Sequence, residues 1–493
     1  MDIQFIKNSL EETKTAYKSS KNNLLWLEQY HSENQNYRDY EGREILELLQ
    51  NADDAQSSHV DIQFDSVNHT LSIKNYGDNT LVFTKEGMRS IMASNLSPKK
   101  NDPGNQSKLI GEKGLGFKSI LNWTSEISIK SDNVIMRFGD DIVANFWKEL
   151  RDNVDDPETY ETEAKRDGHN VPLPILRLPE ISEWQDFQPQ VTIIELTFTS
   201  DGIGDKIRKA LTDFRPESLL FLHNLRNVKI DIDGETHEYS MKSEKIDGSI
   251  NKCTIKDACW LVSYKDGKID GKNFEVAAAF NLNSDQRAKS YNLYTFFPTD
   301  EEFPYPCILH VTLELNASRK AILTGESINT TMMALLAERI IDLADELKIL
   351  THSWDSYKLV SGNFATKNYC KFAFELQRQL NQKSIDKEFI PILFREGYSK
   401  INNSYYYDDA FFVFVKENDG AEFFPEMMLI GAPESLRGKR DDNATNHIEN
   451  FANKLKYEKL AKFIKIIYDY HSKNIIRACL KTIVNGSEFP ESN

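Results

Sequence analysis

Between Ile45 and Gly77 the hydrophobic pattern changes period once, and that change limits the fold more than any other feature of the chain. In "REILELLQNADDAQ" the apolar residues Ile45, Leu48, Leu49 and Ala52 recur at helical spacing. "HVDIQFD" and "HTLSIKNYG" then alternate apolar and polar residues around the turn "SVNHT". A 3.6-residue period followed by a period of two predicts a helix beside an antiparallel pair of strands.

Alternation returns in "EISIKS", "NVIMRFG" and "VTIIELTFTS". From about Asn227 a second set follows, "NVKIDIDGETHEYSM", "ACWLVSYKDG", "FEVAAAFNLN" and "ILHVTLELN", before a long helical run from Ser327 to Leu350. With 493 residues, more than one core is expected. The pattern predicts an α+β chain: a helical segment over 1–39, a first domain over 40–225, a second α/β domain over 226–350, and a mixed, mostly helical region over 351–493. The acidic run 151–170 reads as an exposed insertion. "YYYDDAFFVFVKE" reads as an aromatic strand that serves a core or a partner surface.

A net charge of −16 argues against coating nucleic acid or an anionic membrane by overall charge, although a local basic patch would still permit nucleic acid. The five cysteines are scattered without a C-x-x-C pair and the ten histidines form no ligand-spaced cluster, so reduced thiols and no histidine metal site are expected. The start "MDIQFIKNSLEE" lacks a leader pattern and no long apolar run follows, which predicts a soluble cytoplasmic protein with no membrane partner.

Three segments carry chemistry. In "ELLQNADDA", Glu47, Asn51 and Asp54 recur at spacings of four and three, which puts them on one helix face. Asn51 offers an amide oxygen of the kind magnesium accepts, and Glu47 a carboxylate able to orient or deprotonate a water. Asp54 can accept from an exocyclic amine, and Ala55 is small enough to let a purine lie against the helix. In "IKNYG" a strand ends in Asn75 with Gly77 behind it, a pattern that, taken alone, an ordinary Asn-x-Gly turn explains better than a binding site does. In "LIGEKGLGFKSIL", Gly111, Gly114 and Gly116 lie where a loop becomes a helix, so backbone N–H groups can approach an anion; alone, the segment is equally a structural turn. Lys99, Lys100, Lys108, Lys113 and Lys118 make this stretch positive, which suits either a polyphosphate or a solvated loop.

In that order and spacing the three segments resemble the N-box and the two glycine boxes of the GHKL ATPases, the superfamily of gyrase-type topoisomerases, ninety-kilodalton heat-shock chaperones, histidine kinases and MutL-type repair proteins. "YEGREILELLQNADDA" and "GEKGLGFKSI" are most similar to the chaperone-like subgroup that includes the sacsin and NO VEIN ATPase domains. The resemblance implies a Bergerat-type sandwich, a mainly antiparallel sheet covered by helices, that binds ATP and Mg2+. It implies that Glu47 is the catalytic base and Asn51 the magnesium ligand. Asp54 and Asn75 become adenine-side contacts, with Ala55 and Gly77 beside them and Thr192 of "QVTIIEL" near the base. Gly111, Gly114, Leu115, Gly116, Phe117 and Lys118 surround the phosphates together with Lys99 and Lys113, and residues 94–110 form the lid.

Further on, "LELNASRKAIL" resembles the middle-domain segment of the heat-shock chaperones, which implies that Arg319 is a catalytic arginine reaching the γ-phosphate. Two positions depart from the superfamily pattern: Asn75 stands where an aspartate is usual, and Asn79 where a second glycine is usual. The resemblance also implies a nucleotide-dependent homodimer, a separate effector or partner protein, and a role of the kind found in microbial anti-phage defence. A nucleotide-gated scaffold with little hydrolysis and a DNA-maintenance ATPase are the alternatives.

Overall fold

Helices α1 (Ile3–Ser19), α2 (Leu24–Arg38) and α3 (Glu44–Asp54) precede strands β1 (His59–Asp65) and β2 (Thr70–Tyr76), so the chain turns from helix to sheet where its hydrophobic period changes. The structure, a computed structural model, describes residues 2–19, 24–38, 42–92, 116–124, 126–198, 200–269, 271–312, 327–364, 369–407, 409–437, 439 and 444–468. Next come α4 (Lys85–Ile91), β3 (Glu126–Ser131), β4 (Val134–Phe138), α5 (Asp140–Leu150), α6 (Pro157–Asp167), β5 (Glu180–Glu183), β6 (Val191–Thr197) and α7 (Asp201–Thr212). Strands β7 (Asn227–Ile232), β8 (Glu235–Asp247), β9 (Ile250–Ile255), β10 (Ala258–Ile269), β11 (Lys272–Asn281), β12 (Tyr291–Thr295), β13 (Phe297–Phe303) and β14 (Ile308–Val311) complete the main sheet.

These strands hydrogen-bond in one order, β13, β12, β14, β11, β10, β9, β8, β7, β1, β2, β6, β3, β4, β5. Pairing is antiparallel except for β1 with β7 and the short pairing of β12 with β14. The fold is therefore α+β with a large, mostly antiparallel sheet. β8 carries the sheet from one half to the other: Glu235–Ser240 pair with β7, and Met241–Asp247 pair with β9.

One core lies over the first half, where Ile62, Phe64, Leu71, Ile73, Ile129 and Leu196 meet the apolar faces of α3, α5 and α7. The second core is built on α8 (Ser327–Leu350), which packs on β10 and β11 and against α9 (Asp355–Ser361) and α10 (Lys371–Ser384). Residues 276–280 of β11 read as an unbroken apolar run because this stretch is buried on both faces. Ala277 and Ala279 belong to the first core, and Val276, Ala278 and Phe280 to the second. No described helix is long and apolar enough to cross a membrane.

The C-terminal part holds the short pair β15 (Glu388–Pro391) and β16 (Tyr398–Lys400), then α11 (Asp409–Glu417), α12 (Ala444–Lys454) and α13 (Tyr457–Tyr468). Here the sequence reading is corrected: most of "DDAFFVFVKE" is helix, not strand. Phe411, Phe414 and Val415 fall at helical spacing into an aromatic core with Phe424, Phe451 and Phe463, while Val413 stays exposed. Tertiary burial has overridden the strand preference of aromatic and β-branched residues. The acidic run 151–170 is largely exposed, as the sequence pattern predicts, with only Val154 and Ala164 of its residues buried. It forms α6, whose Glu161 accepts from Trp147 Nε1 and Arg151 Nε at 2.8 Å each, with Ala164 buried beneath.

A buried polar knot joins the two cores. His223 Nε2 lies 2.8 and 2.9 Å from the carboxylate oxygens of Glu275 on β11. His310 on β14, fully buried, stacks on Phe221 and accepts at Nδ1 from Phe296 N at 3.1 Å. Burial lowers the His310 pKa to about 4, and the nearby Glu275 charge offsets only part of that.

The sign of the pH effect follows. Between about pH 6.5 and pH 4 the unfolded chain protonates this histidine and the folded chain does not, so stability is full above that window and falls as the pH drops through it. A shift of this size corresponds to roughly 3 kcal/mol. Denaturant titrations from pH 7 to pH 4 should show a steep loss for the wild type and a much flatter one for His310→Gln.

Candidate functional site

The site is built outward from α3. Its buried face is Ile45, Leu48, Leu49 and Ala52, each 3% exposed or less. Glu44 and Glu47 stand in its first turns, where carboxylates suit the positive end of the helix. Glu44 Oε1 accepts from Gly42 N and from Asn122 Nδ2, both at 3.1 Å. Asn122 closes the 3-10 turn Gly116–Asn122 that follows the glycine segment, so this turn is docked on the start of α3. Glu47 is buried and lies 3.8 Å from Arg43 Nε, one turn earlier. Asn51 and Asp54 are half-buried on later turns.

The helix ends at Ala55, whose N–H bonds Asn51 O at 3.0 Å and whose carbonyl accepts Leu81 N at 2.7 Å. Ser57 N then returns to Ala52 O, and the chain enters β1. Asp53, fully buried, accepts from the backbone N–H groups of His223, Asn224 and Leu225 at 3.1, 2.7 and 2.8 Å.

Across the helix-covered face of the sheet, the strand register places residues in rows. Phe64, Leu71, Leu196 and Ile127 form one row, and Ile62, Ile73, Ile194 and Ile129 the next. The third row is Val60, Asn75, Thr192 and Ser131. Two apolar rows thus give way to three buried polar side chains, with Asn75 6%, Thr192 3% and Ser131 0% exposed.

The polar row is tied to its surroundings at both ends. Asn75 Nδ2 lies 2.8 Å from Ser57 Oγ, just past α3. Thr192 Oγ1 lies 2.7 Å from Ser131 Oγ, which also accepts from Phe83 N at 3.1 Å. Gly77 turns the chain out of β2 with φ +151°, and a Cβ there would meet Ser58 N at 3.0 Å, so the position requires glycine. In the loop it opens, Thr80 Oγ1 is buried without a hydrogen-bond partner among the described residues.

Glu47, Asn51, Asp54 and Ala55 run along α3 from its first turn to its end, Asn75 and Thr192 sit in the polar row of the sheet, and Gly77 lies just past β2. Lys99, Gly111, Lys113, Gly114, Leu115 and Arg319 lie outside the described residues, as does the expected lid, 94–110. Gly116, Phe117 and Lys118 are described as backbone only, in the turn docked on Glu44. Sequence reasoning did not pick out Ser57, Thr80, Ser131 or Asp53. For Ser131, the strand alternation of "EISIKS" was the available signal.

No family model and no curated protein matches the chain. Among solved structures, the ATPase region of Saccharomyces cerevisiae topoisomerase II is similar over 46% of this chain, at 13% identity and a TM-score of 0.26. The similarity spans 58% of that chain.

Replacing Asp53 by alanine would leave three backbone N–H groups without their buried acceptor. Asp53→Ala should therefore lose at least about 3 kcal/mol of unfolding free energy, read as a lower denaturant midpoint. A midpoint within error of the wild type would refute this role.

Proposed function

We propose that the chain is a magnesium-dependent ATPase whose nucleotide lies between the outer face of α3 and the polar row of the sheet. The observation that carries this reading is the polar row itself, placed by Ser57 beside the end of a helix that bears Glu47, Asn51 and Asp54 in sequence. Asn51 makes no side-chain hydrogen bond among the described residues, and Asn75 Oδ1 has no partner there either. Both oxygens are thus available, one for a hard cation and one for a base.

In this reading Asn75, Thr192 and Asp54 hold the base, with Ala55 beneath it. Asn51 would hold Mg2+, which when bound neutralises phosphate charge and orients the triphosphate. Glu47, one turn closer to the helix start, accepts the proton of the attacking water. Arg43 beside it supplies a guanidinium that fixes where the carboxylate sits. Gly111, Gly114 and Gly116 with Lys99, Lys113 and Lys118 serve the phosphates, and Arg319 the γ-phosphate; these roles rest on the sequence motifs. The motif order likewise supports lid closure over 94–110, a nucleotide-dependent homodimer acting on a separate partner in the cytoplasm, and a place in microbial defence.

Glu47→Ala should bind ATP yet turn over about 10² to 10⁴ more slowly, as loss of a general base does. Asn51→Ala should lose magnesium-dependent ATP binding. Phosphate release and nucleotide titration on the purified chain check both. Wild-type turnover in Glu47→Ala would remove the base assignment. ATP binding without measurable phosphate release in the wild type would leave a nucleotide-gated scaffold instead.

A further inference from the structure

We propose that the base end of this site accepts 6-oxopurine nucleotides as well as 6-aminopurine ones, because each side chain of its polar row can reverse its hydrogen-bond sense without losing a buried partner. The inference rests on the nucleotide-site reading above and concerns which bases that site admits.

The two purine edges are opposites. Adenine presents a donor at its C6 amine and an acceptor at N1, whereas hypoxanthine and guanine present an acceptor at O6 and a donor at N1–H. A carboxylate facing C6 accepts only, and it repels O6. Asn75 instead carries an acceptor at one end of its amide and a donor at the other.

What decides whether the amide can turn is the group it already touches. That group is Ser57 Oγ, 2.8 Å from Nδ2, on a fully buried serine held by its backbone bond to Ala52 O. A hydroxyl can accept from Nδ2 or donate to Oδ1. With the amide turned by half a rotation, Ser57 donates to Oδ1 and Nδ2 faces the base. Both states keep the Ser57 bond, so neither leaves a buried polar group unmatched. Asn75 has no further partner among the described residues that would favour one state.

Its neighbour in the row behaves the same way. Thr192 and Ser131 face each other hydroxyl to hydroxyl at 2.7 Å, and either can donate. Ser131 also accepts from Phe83 N, which still leaves it one proton and one lone pair. Thr192 can therefore accept from Ser131 and donate to N1 of adenine, or donate to Ser131 and accept from N1–H of hypoxanthine. Val60 and Val134 flank the row and impose no sense of their own. Asp54 is a side chain on α3 that, when ionised, can only accept. It sits half-buried on α3, and a water between it and the base would donate one hydrogen bond to the carboxylate and still offer either sense to the ring.

The test is competition binding of ATP, ITP and GTP, with magnesium, to the full chain, ITP being the probe free of the guanine 2-amino group. The wild type should bind ATP and ITP within about ten-fold of each other. Asn75→Asp, an acceptor only, should keep ATP and weaken ITP by a further ~10-fold or more relative to it. Ser57→Ala should weaken both nucleotides and leave their ratio within a few-fold of the wild-type value. If the wild type binds ATP but binds ITP ~100-fold more weakly, this inference is overturned and the ATP-site reading stands. If neither nucleotide binds, the site reading itself falls and takes this inference with it. Should Asn75→Asp fail to fold, the wild-type ATP to ITP ratio alone decides.

Discussion

The carboxylate of Asp53 is the joint on which the arrangement of helix and sheet depends. The turn from Leu222 to Arg226 runs through the interior, and its backbone polar groups need partners there. Asp53 takes three of the donors, and Asn224 Nδ2 returns to Asp53 O at 2.9 Å. Arg226 takes acceptors, its guanidinium reaching Leu222 O, Leu225 O and His223 O at 2.8 to 2.9 Å. Burial raises the Asp53 pKa against the pull of its three N–H partners, and burial lowers that of Arg226. Backbone groups offset part of that burial cost at each of the two side chains. From this turn the chain enters β7, which pairs in parallel with β1, the strand that α3 itself leads into. One carboxylate thus sets the start of two neighbouring strands.

The same constraint makes α3 a fixed platform. Its first turn is held by the Glu44 to Asn122 bond and its last by Asp53, and Ile45, Leu48, Leu49 and Ala52 between them pack into the core. Side chains on its outer face inherit that rigidity, which is what a constellation needs if it is to meet a ligand in one geometry. His223, in the turn that Asp53 clamps, bonds Glu275 of β11. Burial pushes the Glu275 pKa up, but its bonds to His223 and Tyr264 and the charges nearby bring it below the usual range. The end of α3 is thus joined to β11 through one turn and one hydrogen-bonded pair, the kind of contiguous contact that can carry coupling between two packed units.

The fold was legible wherever a hydrophobic period persisted. Helix α3, strands β1, β2, β3, β4 and β6, and the long α8 lie where the pattern put them, because burial on one face writes a period into the sequence. Helix α11 was not, since "FFVFV" satisfies both periods over so short a run, and only the aromatic partners Phe424, Phe451 and Phe463 choose between them. Glu47, Asn51 and Asp54 could be placed on one helix by spacing alone. Ser57 and Thr80 could not be singled out, because a lone serine or threonine carries no period, and the alternation of "EISIKS" puts Ser131 on the buried face without revealing its partner Thr192. Arg43 sits four residues before Glu47, yet its guanidinium gains meaning only once both are known to be buried.

Stability alone does not account for the third row of the sheet. Its neighbours are Ile62, Ile73, Ile194 and Ile129, and valine flanks it at Val60 and Val134, so an apolar residue at positions 75, 192 and 131 would continue the pattern. Burying an amide and two hydroxyls instead is costly unless they are paired, and Ser57 and Phe83 N supply only part of the pairing. Thr80 Oγ1 remains buried without a partner among the described residues, and Asn75 keeps one open oxygen. Under the proposed function this break in the apolar rows is where the ligand would meet the sheet. The departure also has a direction. It lies beside the end of α3 and the turn at Gly77, and under the proposed function the base of the nucleotide would meet this row while its phosphates would run back along the helix toward Asn51 and Glu47.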